Sequence, residues 1–320
     1  MTKKFYFGID LGGTSIKMGV ISVEGKLLLE REQPTPKGPY LDVLHVFKRM
    51  MHQLLDGSSI SNDEIMGVGV GVPALLDVES GYVHEIVNLG WKDVPLQREL
   101  ENLFNLPCFI DNDANTAALG EMWQGAGRNA KQLICITVGT GIGGGLILNG
   151  DIYHGAIGMA GEIGHMCVAT DKGRLCNCGQ SGCLETEASA TAIIHYGKQA
   201  ILEGKLQHPD PEHLTAKDVI DAARTGNIEC NRIIQQVSYY LALALAQAAA
   251  ILNPEKIIIG GGVSNAGQFF IQPIRHYFEQ FALKKIRENV RIVPAELGNK
   301  AGMIGAAWLV HNHCRQIGGI

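Results

Sequence analysis

Short apolar runs and stretches of helical periodicity alternate along the 320 residues, with glycine-rich turns between them. Residues 5–10 (FYFGID) form an apolar run that predicts a buried strand. Residues 11–14 turn the chain into a second strand over 15–22, and Gly25 turns it again into 26–31. This is a hairpin meander and not a strand feeding a helix. Helical spacing follows over 40–55, then a strand over 65–72 with Gly67, Gly69 and Gly71 at alternate positions. Alternate residues share one face of a strand, so these glycines let another element or a ligand approach closely. Residues 79–81 read as a turn and 88–91 as a surface loop, with Trp91 more simply explained by packing than by a pocket wall. A helix over 95–104, a strand over 107–110 and a helix over 114–123 complete the first third.

The opening theme then recurs, with a strand over 132–137, a Val138-Gly139-Thr140-Gly141 turn and a returning strand over 142–148. Strand, Gly/Thr turn, strand in each half suggests two similar folds facing one another. Helices are expected over 187–199, over 217–223 behind a Thr215 cap, and over 229–252, the last long, alanine-rich and apolar. Pro254 ends that helix, and a strand over 256–259 enters a turn from Gly260 to Gly267, from which a helix runs to 283. An edge strand over 291–294 and a final helix over 301–311 close the chain.

Composition narrows the function classes. A chain of 320 residues exceeds what one core usually serves, so two α/β domains are expected. The net charge of -5 has no basic concentration attached, which argues against nucleic acid as a partner. No run of eighteen uncharged apolar residues predicts a membrane span, and the apolar run before Asp10 is too short for a signal peptide. Eight cysteines, three of them in one loop, suit a reducing compartment, and the expected location is cytoplasmic.

Candidate chemistry gathers in a few stretches. Residues 161–187 hold His165, Cys176, Cys178 and Cys183, soft ligands that complete a four-coordinate structural zinc site with no open position. Glu162, Glu185 and Glu187 lie beside them. In Asp10-Leu11-Gly12-Gly13-Thr14, backbone NH groups and the Thr14 hydroxyl can meet phosphate while Asp10 waits for a metal or its waters; an acidic glycine turn is equally compatible with a structural turn. Asp111-Asn112-Asp113-Ala114-Asn115 at a strand exit carries more acids and amides than one helix cap needs. Gly260-Gly261-Gly262 opening a helix is a ready anion site.

Taken together, Asp10 to Thr14, Asp111 to Asn115, Thr137 to Gly145, Gly161-Glu162-Ile163-Gly164-His165, Cys176-x-Cys178-Gly179-x-x-Gly182-Cys183-x-Glu185 and Gly260 to Ser264 resemble the ROK family, and within it the bacterial ATP-dependent glucokinases of the Bacillus type. The resemblance implies the actin-like ATPase fold, a duplicated ribonuclease H-like α/β architecture with ATP and sugar in an interdomain cleft. It divides the chain into a smaller domain of residues 1–115 plus 300–320 and a larger one of residues 116–299 carrying the zinc loop. It implies transfer of the γ-phosphoryl group of MgATP to the 6-hydroxyl of glucose, with Asp113 as the general base. Asn112, Asp113, Glu162, His165 and Glu185 would bind sugar hydroxyls, and His165 would also ligate zinc with the three cysteines. Asp10 would hold magnesium or its waters. Gly12, Gly13, Thr14, Lys17, Thr140, Gly141, Gly261 and Gly262 would meet the nucleotide. No role is implied for Glu187, which reads as a helix-start acid.

The resemblance leaves alternatives. A kinase for another hexose or amino sugar (N-acetylmannosamine, N-acetylglucosamine, fructose, allose) uses similar pocket acids, and the phosphoryl donor is open between ATP and polyphosphate. A repressor of the same family would need a DNA-binding module before the first strand. Family likeness suggests a homodimer or a dimer of dimers.

Overall fold

A computed structural model describes residues 4–171 and 173–318. The outermost residues of the expected domain spans, 1–3 and 319–320, lie outside the described residues, as does the start of the N-terminal stretch read for a signal peptide.

Two five-stranded sheets share one plan. In the first, β1 (Phe5–Leu11), β2 (Ser15–Ser22) and β3 (Leu27–Pro34) form an antiparallel meander, and helix α1 (Tyr40–Leu55) leads to β4 (Ile65–Val72), parallel to β1. Strands β5 (Leu75–Asp77), β6 (Tyr82–Ile86) and β7 (Trp91–Val94) make a small separate antiparallel sheet. Helix α2 (Leu96–Phe104) then enters β8 (Cys108–Asn112), which lies parallel to β4 at the sheet edge.

Helix α3 (Asp113–Gln124) passes to the second sheet, where β9 (Leu133–Val138), β10 (Ile142–Leu148) and β11 (Asp151–Ile152) repeat the meander. Helices α4 (Leu184–Ala188), α5 (Ala190–Leu202), α6 (Ala216–Arg224) and α7 (Ile228–Leu252) precede β12 (Lys256–Gly260), parallel to β9. Helices α8 (Gln268–Phe281) and α9 (Lys284–Asn289) lead to the edge strand β13 (Arg291–Pro294), and α10 (Ala301–Gln316) ends the fold. The sheet orders, β3-β2-β1-β4-β8 and β11-β10-β9-β12-β13, are equivalent position by position.

The glycine face of β4 is filled by helices. A Cβ on Gly69 would overlap the Ala306 carbonyl of α10, and one on Gly71 would overlap the Thr116 hydroxyl of α3. The two helices touch each other through glycine as well, since a Cβ on Gly305 would overlap the Thr116 carbonyl and one on Gly120 the Ala301 carbonyl. Backbone-to-backbone approach of this kind tolerates no side chain. Helix α3 also packs on β9 and β10, so it spans both sheets.

Three expectations change. The turn expected at 79–81 joins β5 to β6, but Trp91, expected in a surface loop, opens β7 instead; it is 4% exposed in the core of the first sheet and donates its indole N–H to the Gly38 carbonyl at 3.3 Å. The expected helix over 187–199 is two, broken at Ser189, whose extended backbone and hydroxyl cap α5 by accepting from Ala192 N at 3.2 Å. By contrast, the helix expected beyond Gly267 is found as α8; the turn before it holds one short helical turn, Gly262–Ala266, and Gly267 at φ +63 re-aims the chain into α8. Finally, α10 runs on past His311, a buried residue whose Nδ1 lies 3.1 Å from the Tyr6 hydroxyl. Among the described residues no helix is long and apolar enough to cross a membrane; α7 is buried in the second core.

Candidate functional site

The junction of β8 and α3 sets Asp113. Asn112 is the helix cap, its Oδ1 accepting from Ala114 N at 2.8 Å, which leaves its amide N–H groups directed elsewhere, the nearest acceptor being the Ala74 carbonyl at 3.5 Å. The cap and the functional reading of Asn112 are therefore compatible. Asp113 follows as the first helical residue, its carboxylate also reached by Ala114 N at 2.9 Å. Burial raises its pKa to about 6, helped by the negative charge of Asp10 and, more weakly, of Glu162, while backbone hydrogen bonds oppose the rise. Asp10, at the end of β1, is also raised by burial; Lys17, 3.3 Å away, works against that shift.

Between the sheets lies a cleft of about 390 Å³. Asp10, Lys17 and Asp113 line one side, Gly260, Gly261, Ser264 and Asn265 the other, and the turn Gly298–Asn299 with the start of α10 closes it. Gly302 packs directly on the Asp10 carboxylate. Gly12, Gly13, Thr14, Thr140, Gly141 and Gly262 do not line this cavity. Gly13 and Thr14 are exposed at the tip of the β1–β2 turn, and Thr140 is exposed with its carbonyl held by the Thr191 hydroxyl at 2.7 Å. Ser264, part of the Gly260 to Ser264 motif, carries no expected role, and neither do Asn265, Gly298 and Asn299; for the last two the Gly-Asn turn before α10 is the available signal.

Residues 161–164 lie over β10. Gly164 packs on the Ile142 carbonyl and Gly161 on Gly144, so the loop approaches the strand through backbone alone. His165, Cys176, Cys178 and Cys183 converge, their ligand atoms all within 4.8 Å of one another. Cys178 and Cys183 sulfurs are 3.6 Å apart, and Cys176 sulfur is 3.6 Å from His165 Nδ1. A tetrahedral zinc site with ordinary bond lengths requires about 3.8 Å between sulfurs and about 3.6 Å from sulfur to nitrogen. These two separations match such a site, and the four residues together could hold a divalent cation. His165 turns its other nitrogen, Nε2, toward Glu162 at 3.8 Å, and both side chains are part-exposed.

The two remaining glutamates differ. Glu185 is pinned by accepting from Ile142 N at 3.0 Å, against the Thr140–Gly141 turn. Glu187 stands in the first turn of α4, as a helix-start acid should, but it is 4% exposed and does more than that. It accepts from the Tyr196 and Thr186 hydroxyls and from Arg174 N, with the Arg174 guanidinium 3.8 Å away. This strut joins the cysteine loop to α5.

A sequence profile of the ROK family matches residues 6–313. The chain belongs to the ROK family. Among curated ROK relatives, a glucokinase of Halalkalibacterium halodurans is 44% identical over 97% of this chain and 96% of its own. A xylose repressor of Caldicellulosiruptor bescii is 32% identical over 95% of this chain and 77% of its own. Among solved structures, a ROK family glucokinase from Streptomyces griseus in complex with glucose and AMPPNP superposes with a TM-score of 0.80 at 33% identity, covering 95% of this chain and 98% of that one. The two α/β domains around a cleft are accordingly the actin-like architecture of ROK proteins.

Two buried acids of this ROK chain make contacts that no local pattern announces. Glu121, at the far end of α3 from Asp113, accepts from Ala126 N at 2.9 Å, Glu296 N at 3.1 Å and Leu297 N at 2.8 Å, and so holds the turn that closes the cleft. Asp111 bonds across to His154, 43 positions away in the chain, at 2.7 Å.

Proposed function

We propose that this ROK protein transfers the γ-phosphoryl group of MgATP to the 6-hydroxyl of glucose, giving glucose 6-phosphate and ADP. The observation that carries the reading is Asp113, a carboxylate with its pKa raised to about 6 by burial, at the mouth of a cleft lined by both sheets. The glucokinase relatives supply the substrate class. A binding-only protein or repressor has no use for a poised base at that position.

In phosphoryl transfer the protein mostly positions and neutralises. Asp113 accepts the proton of the sugar 6-hydroxyl as its oxygen bonds to the γ-phosphorus, and the bond from that phosphorus to the bridging oxygen breaks to release ADP. Lys17 and the backbone of Gly261 lie on the cleft walls where phosphate charge would be met. Magnesium, held through Asp10 or its waters, would neutralise phosphate charge. Glu162, His165 and Asn112 would take the sugar hydroxyls, each carboxylate able to accept from two adjacent OH groups. Glu185 would add a further acceptor only with the oxygen not already committed to Ile142 N. Zinc bound by His165, Cys176, Cys178 and Cys183 would staple the loop and fix the His165 tautomer, leaving Nε2 for the sugar.

Incubation of the purified protein with glucose and MgATP, followed by phosphorus NMR, tests this reading. A single ester at the 6-position is expected; no ester, or phosphate at another carbon, would contradict it.

A further inference from the structure

The edges of the two sheets are joined by a part-buried bond between Asp111 and His154. Strand β8 is the outer strand of the first sheet and β11 that of the second. Asp111 of β8 is fully buried, and its carboxylate is used on both oxygens. Oδ1 accepts from the backbone N of Asn112 at 2.7 Å and from the buried Asn115 amide at 2.9 Å, while Oδ2 meets His154 Nε2 at 2.7 Å. His154 stands two residues beyond β11, and its carbonyl accepts from Ala160 N at 3.0 Å, closing the short loop that runs into Gly161 and Glu162.

We propose that Asp111 and His154 are a positioning pair that fixes Asn112 and Asp113 against the loop carrying Glu162 and His165. The proposal rests on the sugar-kinase reading above, and it makes the pair a determinant of sugar capture. Each partner is anchored next to one wall of the proposed sugar site. Asp111 grips the backbone of Asn112 directly, and His154 begins the segment that ends at Glu162. Neither side chain belongs to the cleft lined by Asp10 and Gly261, so nucleotide capture does not depend on the bond. Behind the pair lies a cavity of about 230 Å³ lined by Asp111, His154, Asp151, Asn312 and His313, from which the His154 ring and the Asn115 amide screen the carboxylate. Truncating His154 therefore lets water solvate Asp111 and removes the tie without stranding a charge.

The test compares His154→Ala, His154→Gln and Asn312→Ala in the full chain. Asn312 makes the neighbouring contact to the same edge, its amide donating to Asp151 Oδ2 at 3.4 Å, and serves as a control for general loosening. His154→Ala is expected to raise KM for glucose at least tenfold while KM for ATP stays within twofold. His154→Gln, which can return an N–H to Asp111, is expected to recover most of the loss, and Asn312→Ala to leave both constants within twofold. Equal rises in both KM values, or a glutamine variant no better than alanine, would overturn the pair's role. Amide hydrogen exchange separates this from failure of the functional reading. If the wild-type protein turns over no sugar, that reading falls, and the pair is still judged by residues 155–165. Faster exchange there in His154→Ala, with β9 unchanged, supports the tie; unchanged protection overturns it.

Discussion

Asp113 holds its proton more tightly than an ordinary aspartate because it is buried beside Asp10 and Glu162. As a base it works only when ionised, so kcat/KM should rise about tenfold per pH unit up to about pH 6 and level off above it. Asp113→Asn should lower kcat by roughly 10²- to 10⁴-fold and leave KM for glucose within a few-fold; near-normal turnover would remove the base assignment. The same residue affects stability with a definite sign. Its folded pKa lies above the unfolded value, so the folded protein binds this proton more tightly. The contribution to stability is therefore full below the unfolded value of 3.8 and is lost as pH rises through about 6. Asp113→Asn should accordingly be more stable than the wild type at pH 8, by up to about 3 kcal/mol, with the difference shrinking toward pH 4. Urea unfolding at the two pH values measures this. A variant equally stable or weaker at pH 8 would show that the buried charge is not a burden.

The meander strands were legible one element at a time because each is a local apolar run ending in a glycine turn, as in 15–22 and 142–148, where the observed bounds match. The long helix α7 was legible from its alanine-rich apolar composition. Strands β5 to β7 were not, since three to five residues leave too little periodicity to read. Most of the candidate residues were also legible as motifs, but the contacts that hold them were not. Asp111 with His154, and Glu121 with residues 296–297, join positions far apart in sequence and depend on how the sheets meet. The alternating glycines of β4 are a further case: the sequence indicates a close approach, and only the packing of α10 says by what. Gly69→Ala should therefore cost several kcal/mol, because its Cβ has only the Ala306 carbonyl to displace. Gly139→Ala, with nothing near its Cβ, should stay within about 0.5 kcal/mol. Similar stability of the two variants would contradict the observed crossing of α10 over the sheet. In the cysteine loop, metal analysis should find about one zinc per chain. Chelation should raise KM for glucose more than KM for ATP, because the loop carries Glu162 and His165 while the nucleotide side of the cleft lies elsewhere. A zinc-free protein with unchanged glucose KM would contradict the loop's role.

At the scale of the molecule, two sheets of equal plan face one cleft, and α3 spans them with Asp113 at one end and Glu121 at the other. In the proposed reaction that arrangement would give each substrate its own wall: the β8–α3 junction and the cysteine loop for the sugar, the β12 turn and the residues before α10 for the nucleotide. Transfer across the cleft then needs only the two walls to close on each other and exclude water as a competing acceptor. The central claim is that the acceptor held there is glucose. The most direct test is kcat/KM from coupled ADP release with MgATP over a panel of glucose, mannose, fructose, allose, N-acetylglucosamine and N-acetylmannosamine. Glucose is expected to have the highest value in the panel, with one ADP released per glucose 6-phosphate formed. No turnover of glucose, or a higher kcat/KM for another sugar, would contradict it.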